Sequence, residues 1–137
     1  MVHLINQSNE QHLQTHQVYK TLPSSLESCS CLYCQNYINS IPSLPDWIQG
    51  FANRYGIDLA KAVEIMQIDQ EGEHHQFLAI YHVVGEAVVS SYSDEEITLF
   101  LDTEDLDFVP DELPTPVVQV MMELWLPWVV EPLEIQG

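Results

Sequence analysis

Apolar positions gather most densely between Gln76 and Ser90. From Phe77 to Val84 almost every residue is aliphatic or aromatic. In an extended chain Phe77, Ala79, Tyr81 and Val83 fall on one face, and Leu78, Ile80, His82 and Val84 on the other. A strand that is apolar on both faces is covered on both sides, so it belongs inside a sheet. A helix is disfavoured by the valine pairs and by Gly85, which marks a bulge position.

Upstream of that strand the pattern is helical in places. Residues 1–14 are polar and rich in Gln and Asn, and read as a loose N-terminal end ahead of one domain over residues 15–137. Thr15 to Leu22 reads as a short strand carrying Val18 and Leu22, closed by Pro23-Ser24-Ser25. Ser30 is placed to cap a helix on which Cys31, Cys34, Ile38 and Ile41 share a face, with Pro42 as its end. A second helix opens at Ser43 or Asp46, with Pro45 in its first turn. It buries Leu44, Trp47, Ile48, Phe51 and Tyr55 and stops at Gly56. Asp58 is placed to cap a further helical turn. Val63 to Asp69 then reads as a strand, joined to the central one through Gln70-Glu71-Gly72-Glu73 as a β-hairpin.

Downstream, Ile97 to Leu101 predicts a strand, and Leu106 to Val109 a second after a turn at Glu104-Asp105. Pro110, Pro114 and Pro116 frame a loop. Val117 to Leu126 alternates as a strand with Gln119, Met121, Glu123 and Trp125 on one face. A helix starting at Thr115-Pro116 is the competing reading, because Gln119 and Glu123 are also four apart. The fold class expected is α+β: short N-terminal helices packed on a mainly antiparallel sheet.

Charge narrows the partners. Lys20, Arg54 and Lys61 are the only strong cations against twenty-one acids, giving a formal net charge of −18 in 137 residues. A protein that tracks phosphates needs a basic surface, so nucleic acid is excluded as a partner, and anionic membrane surfaces likewise. A basic protein or ligand, a cation, or plain solubility remains compatible. No apolar run approaches the ~20 residues of a membrane helix. The first residues lack the layout of a secretory signal, which leads to a cytoplasmic expectation. Three cysteines, an odd number close together, do not suggest a disulfide scaffold.

Candidate chemistry is concentrated in Cys29-Ser30-Cys31-Leu32-Tyr33-Cys34. Three thiolates can supply three ligands to zinc, with His74, His75 or His82 as the fourth; His82 is the candidate carried forward. Cys31 and Cys34 at a helix start also suit a thiol oxidoreductase, since the exposed N–H groups there stabilise a thiolate. The third reading is that Cys31 and Cys34 are small core residues on the stripe with Ile38 and Ile41. His82 alone among apolar neighbours reads as a packed core residue, and His74-His75 as surface. Asp102 to Asp107 alternates acids but has Asp107 where a calcium loop needs glycine. Trp125 and Trp128 read as core packing or an edge closure. There is no Gly-x-Ser-x-Gly and no glycine-rich phosphate loop.

Three blocks follow in order: Cys29-x-Cys31-x2-Cys34-x-Asn36-Tyr37, Tyr55-Gly56-Ile57-Asp58-Leu59-x-Lys61, and Tyr81-His82-Val83-Val84-Gly85. In this arrangement the chain resembles an uncharacterised family of small bacterial proteins, over Cys29 to Gly85 and in part at Pro127-Trp128. The resemblance implies no activity. It implies that the cysteine segment and the Tyr81-His82 strand belong to one structural unit. The function expected is a small acidic interaction or structural module without catalysis. The alternatives are a zinc-binding protein using Cys29, Cys31 and Cys34, and a thiol oxidoreductase using Cys31 and Cys34.

Overall fold

The computed structural model describes residues 3–130. The strands are β1 (Ile5–Asn6), β2 (Glu64–Glu71), β3 (His74–Val84), β4 (Glu86–Ala87), β5 (Ser91–Ser93), β6 (Ile97–Asp102) and β7 (Val117–Pro127). The helices are α1 (Asn9–Thr21), α2 (Ser25–Ser28), α3 (Leu32–Ser40) and α4 (Asp46–Tyr55). Five strands form an antiparallel sheet in the order β2-β3-β7-β6-β5, and β1 pairs with β4 in a separate ribbon. The class is α+β, as expected.

β3 is the interior strand that its apolar run predicts. It pairs with β2 on one side and with β7 over its full length on the other, with Tyr81 opposite Val120 and Ala79 opposite Met122. Its odd-numbered residues Phe77, Ala79, Tyr81 and Val83 share one core with Val118, Val120, Met122 and Leu124 of β7 and with Tyr37, Ile48, Phe51 and Tyr55 of the helices. Burial of this face drives the packing of helices on sheet. The far face is only partly covered: Phe100, Met66 and Ile68 are exposed, and Leu78, Met121 and Trp125 are half-buried.

Tyrosine hydroxyls fasten the two layers. Tyr81 Oη donates to the Leu59 carbonyl at 2.7 Å, so Tyr37 Oη donates to Tyr81 Oη at 2.5 Å. Tyr19 Oη accepts from the His82 amide at 3.0 Å. Tyr55 Oη accepts from the amides of Leu4 and Ile5 at 3.3 Å each. All four rings are buried, and each hydroxyl has a partner, as buried polar groups require.

Four expectations are corrected. Within the stretch expected to be a loose end, described from residue 3 onward, Leu4 and Ile5 are buried and α1 begins at Asn9. Ser8 caps that helix with a reciprocal box to Gln11. The strand expected over Thr15–Leu22 is the second half of the same helix, burying Thr15, Val18 and Tyr19. The cap of α3 is Cys31 rather than Ser30. Leu106 to Val109 is loop, with Phe108 at φ 58°; Leu106 and Val109 pack against a small cluster of Val18, Val84, Leu113 and Val117 without joining the sheet. The second predicted helix, its stop at Gly56 (φ 84°), the turn capped by Asp58, the β2–β3 hairpin and β7 as a strand all occur as expected.

Among the described residues no helix is long and apolar enough to cross a membrane.

Candidate metal centre

The three cysteines meet at the start of α3. Cys29 ends α2 in an extended conformation, its N–H donating to the Ser25 carbonyl at 2.9 Å. Cys31, two residues on, is the N-cap of α3, and residues two apart in extended chain project to one side. The Cys34 amide, three residues into the cap, donates to Cys31 Sγ at 3.5 Å. This is the ordinary reach of an N-cap side chain, performed by sulfur. The result is that all three Sγ atoms lie within 4.8 Å of one another. Cys29 and Cys31 are exposed and Cys34 is buried; none is in a disulfide. Gln35 Nε2 donates to the Ser30 carbonyl at 2.7 Å, which holds the turn against the helix.

The rest of α3 ties this turn to the sheet. Asn36 is fully buried; its Nδ2 donates to the Pro127 carbonyl at 3.1 Å and its Oδ1 accepts from the Val129 amide at 2.6 Å. Tyr37 reaches Tyr81 as described, so the cysteine segment and the Tyr81 strand do form one unit. Tyr33 packs on Trp128, ring centroids 5.6 Å apart, and Trp128 on His75 at 4.5 Å. Because both amide atoms of Asn36 are used out of water, Asn36→Ala is expected to destabilise the fold by roughly 2 kcal/mol, seen as a lower urea midpoint at unchanged slope.

Sulfur environment differs across the cluster. Hydrogen bonding from the Cys31 backbone, then from the other two sulfurs, holds the Cys29 thiol below its ordinary range, against opposition from the Glu64 charge. Burial, then the neighbouring thiols, pushes Cys34 far up.

No histidine completes the set. Among the described residues the group is the three cysteines alone. His82, the predicted fourth ligand, is elsewhere. It is fully buried, and its Nε2 faces Gln119 Oε1 at 3.1 Å. That oxygen also accepts from the Asp107 amide at 2.5 Å, while Gln119 Nε2 donates to Asp107 Oδ2 at 3.3 Å. An oxygen at this position makes His82 Nε2 the protonated nitrogen and leaves Nδ1 bare; it has no hydrogen-bond partner. His82 is thus the packed residue that the alternative reading expected, bonded to a side chain. His75, expected at the surface, is buried, with Nδ1 2.5 Å from Gln67 Oε1. His74 is exposed. The acids of 102–107 form a turn in which Asp102 Oδ1 accepts from the Glu104 and Asp105 amides, the cause of its lowered carboxyl pKa.

Burial holds the His82 pKa below its ordinary 6.5, although Gln119 and Asp107 favour the charged ring. The unfolded chain therefore takes up its proton first as pH falls. The neutral ring's contribution to stability is complete above about pH 6.5 and is lost as pH drops through the folded value. The expected result is a urea midpoint that declines from pH 7 to pH 5, with a shallower decline in His82→Leu. His75, whose pKa burial also lowers, supplies the slope that remains.

No protein-family model, curated protein or solved structure matches the chain. The sequence alone missed Asn36, Gln119 and Asp107 as organising residues. Of these only Asn36 stood in a block that the sequence singled out, the one from Cys29 to Tyr37.

Proposed function

We propose that this protein is a small acidic module without catalytic machinery, in which Cys29, Cys31 and Cys34 hold a thiophilic metal ion, zinc by choice of ligand. The observation that carries the reading is the convergence of three Sγ atoms within 4.8 Å. A tetrahedral zinc with bonds of about 2.3 Å holds its sulfurs about 3.8 Å apart, so closing the site asks for movements of about 1 Å or less. The sulfurs on exposed Cys29 and Cys31 have the freedom to make them. The role is a brace. α2 is one turn long, Ser28 to Cys31 are all exposed, and little apolar contact fixes the α2–α3 corner. A fourth position left to water or to a partner's donor group suits a site that opens to solvent. Elemental analysis of untagged protein is expected to give one metal per chain. Cobalt loading is expected to produce sulfur-to-metal charge-transfer absorption that vanishes in Cys34→Ser. Substoichiometric metal, or three thiols that titrate freely in the folded protein supplied with zinc, would end the proposal.

One observation favours a thiol oxidoreductase as the second reading: Cys31 Sγ accepts the Cys34 amide at a helix N-terminus while Cys34 is buried. There the Cys31 thiolate attacks a substrate disulfide, expelling one substrate thiolate. The Cys34 thiolate then displaces the other, leaving a Cys31–Cys34 disulfide and a reduced dithiol. Insulin reduction with a dithiol reductant no faster than a Cys31→Ser control removes it.

A further inference from the structure

The chain has three strong cations, and two of them line one groove. The groove, about 560 Å³ in volume, runs between α1, α4 and the turn at Gly56–Lys61. His12, His16 and Lys20 recur along α1 at helical spacing, and all three line it. His12 and His16 stack nearly parallel, 15° apart with ring centroids at 6.2 Å. Lys61 stands across from the end of that series. Its ammonium is held by the carbonyls of Tyr19 at 2.6 Å and Lys20 at 3.4 Å, where α1 ends. Neutral carbonyls fix its position without removing its charge, and an ammonium has three hydrogens to give. The single acid of the lining, Asp58, already accepts from the Ala60 amide at 3.0 Å.

We propose that this groove binds a small organic anion: a phosphate or carboxylate head met by Lys20 and Lys61, on a planar or apolar body lying against the paired imidazoles. The charge partition argues for it. A chain at −18 has acids everywhere else to spare, yet the groove carries two lysines against one acid. The wall is also organised. His12 Nδ1 lies 3.0 Å from the Arg54 carbonyl, which accepts its hydrogen and fixes the ring in place. Gly56 makes the close approach of the walls possible. A Cβ there would lie 3.0 Å from the His12 carbonyl oxygen, and φ is +84°. The same overall charge limits the ligand's size, since a polyanion would meet repulsion from the surrounding acids. The Arg54 guanidinium faces away from this set, next to His3 Nδ1 at 3.2 Å and over the Tyr55 ring.

The proposal is independent of the cysteine site, and its test is a titration of the full chain followed by 1H–15N NMR. The probes are phenyl phosphate, inorganic phosphate and, as the opposite charge, phenyltrimethylammonium. Phenyl phosphate is expected to give saturable shifts centred on His16, Lys20, Asn53 and Lys61, inorganic phosphate the same shifts at higher concentration, and the cation none. Loss of one charged contact in Lys20→Gln is expected to weaken phenyl phosphate by about tenfold. Gln70→Glu, on the distant β2–β3 turn, changes the net charge equally and is expected to leave binding within about twofold, the size of a screened long-range effect. Lys20 and Gln70 are exposed, and each variant's own spectrum reports its folding. The idea is overturned by an unsaturable response, by equal shifts from the cation, or by equal weakening in the two variants.

Discussion

Gly85→Ala is expected to destabilise the protein by roughly 3 kcal/mol, from strain in a glycine-only conformation together with overpacking. Gly85 follows β3 at φ +154°, and an added Cβ would sit 2.7 Å from the Asn6 carbonyl oxygen and 3.0 Å from Ile5 Cγ2. Both neighbours are fixed. Ile5 and Asn6 pair with Ala87 and Glu86, and the Ile5 amide is bonded to Tyr55 Oη. Backbone cannot give way as the end of a flexible side chain can. Relief requires β1 to lift off, which exposes Leu4 and Ile5, both buried. The local outcome is therefore specific: amides of β1 and β4 lose exchange protection while those of β7 keep theirs. Equal midpoints for Gly85→Ala and the parent in urea would show that the β1–Gly85 approach is not a tight one. Ser8→Ala makes a useful contrast. It removes only an exposed helix cap and is expected to be smaller, about 1 kcal/mol.

What could be read from the chain followed from how each segment's burial is periodic. β3 is apolar from Phe77 to Val84 but for His82 because helices cover one face and, in part, a loop the other. α4 shows a full apolar stripe because Ile48, Phe51, Ala52 and Tyr55 enter the core shared with the sheet. α1 escaped because its apolar contacts are few. Its buried set is Thr15, Val18 and Tyr19, and the remaining positions are polar or charged apart from the exposed Leu13. Its start was visible all the same, since Ser8 and Gln11 have the spacing of a capping box. Leu106-Asp107-Phe108-Val109 imitates a strand, but Leu106 and Val109 serve a small satellite cluster, Phe108 is exposed, and the backbone is led by the Gln119–Asp107 bonds, a side-chain event with no periodic trace. The β7 ambiguity dissolved for a related reason. Gln119 is buried by that same latch and Glu123 is half-buried beside Gln76, so neither marks a wet helical face.

The site was legible in part. Cysteine spacing places three sulfurs together once a helix starts between them. The proposed histidine failed on alternation alone. Tyr81 and His82 face opposite sides of β3, and Tyr81 faces α3, so His82 cannot meet the cysteines while the helices lie on the Tyr81 side. His75 shares the Tyr81 side and does approach α3 through Tyr33 and Trp128, but its Nδ1 is occupied by Gln67.

Removing metal is expected to lower the melting temperature by about 12 °C when the reference sample holds zinc at a thousandfold excess over its dissociation constant. Binding to the folded state alone contributes about 4 kcal/mol at that excess, and a domain of this size moves by about 3 °C per kcal/mol. The loss should be local as well as global. Tyr37 and Asn36 fasten the middle of α3 to β3 and β7 independently of the sulfurs, so chelation is expected to release α2 and the first turn of α3 while the Asn36 end stays protected. Hydrogen exchange with and without chelator measures this, with β7 as the internal standard. Cys29→Ser and Cys34→Ser separate the metal from packing. Without metal, Cys29→Ser should match the parent, because Cys29 is exposed; Cys34→Ser should fall below it, because Cys34 packs inside. With zinc both should lose the stabilisation. If the parent melts at one temperature in zinc and in chelator, the brace does not exist, and the three sulfurs are left with the redox chemistry that insulin reduction detects.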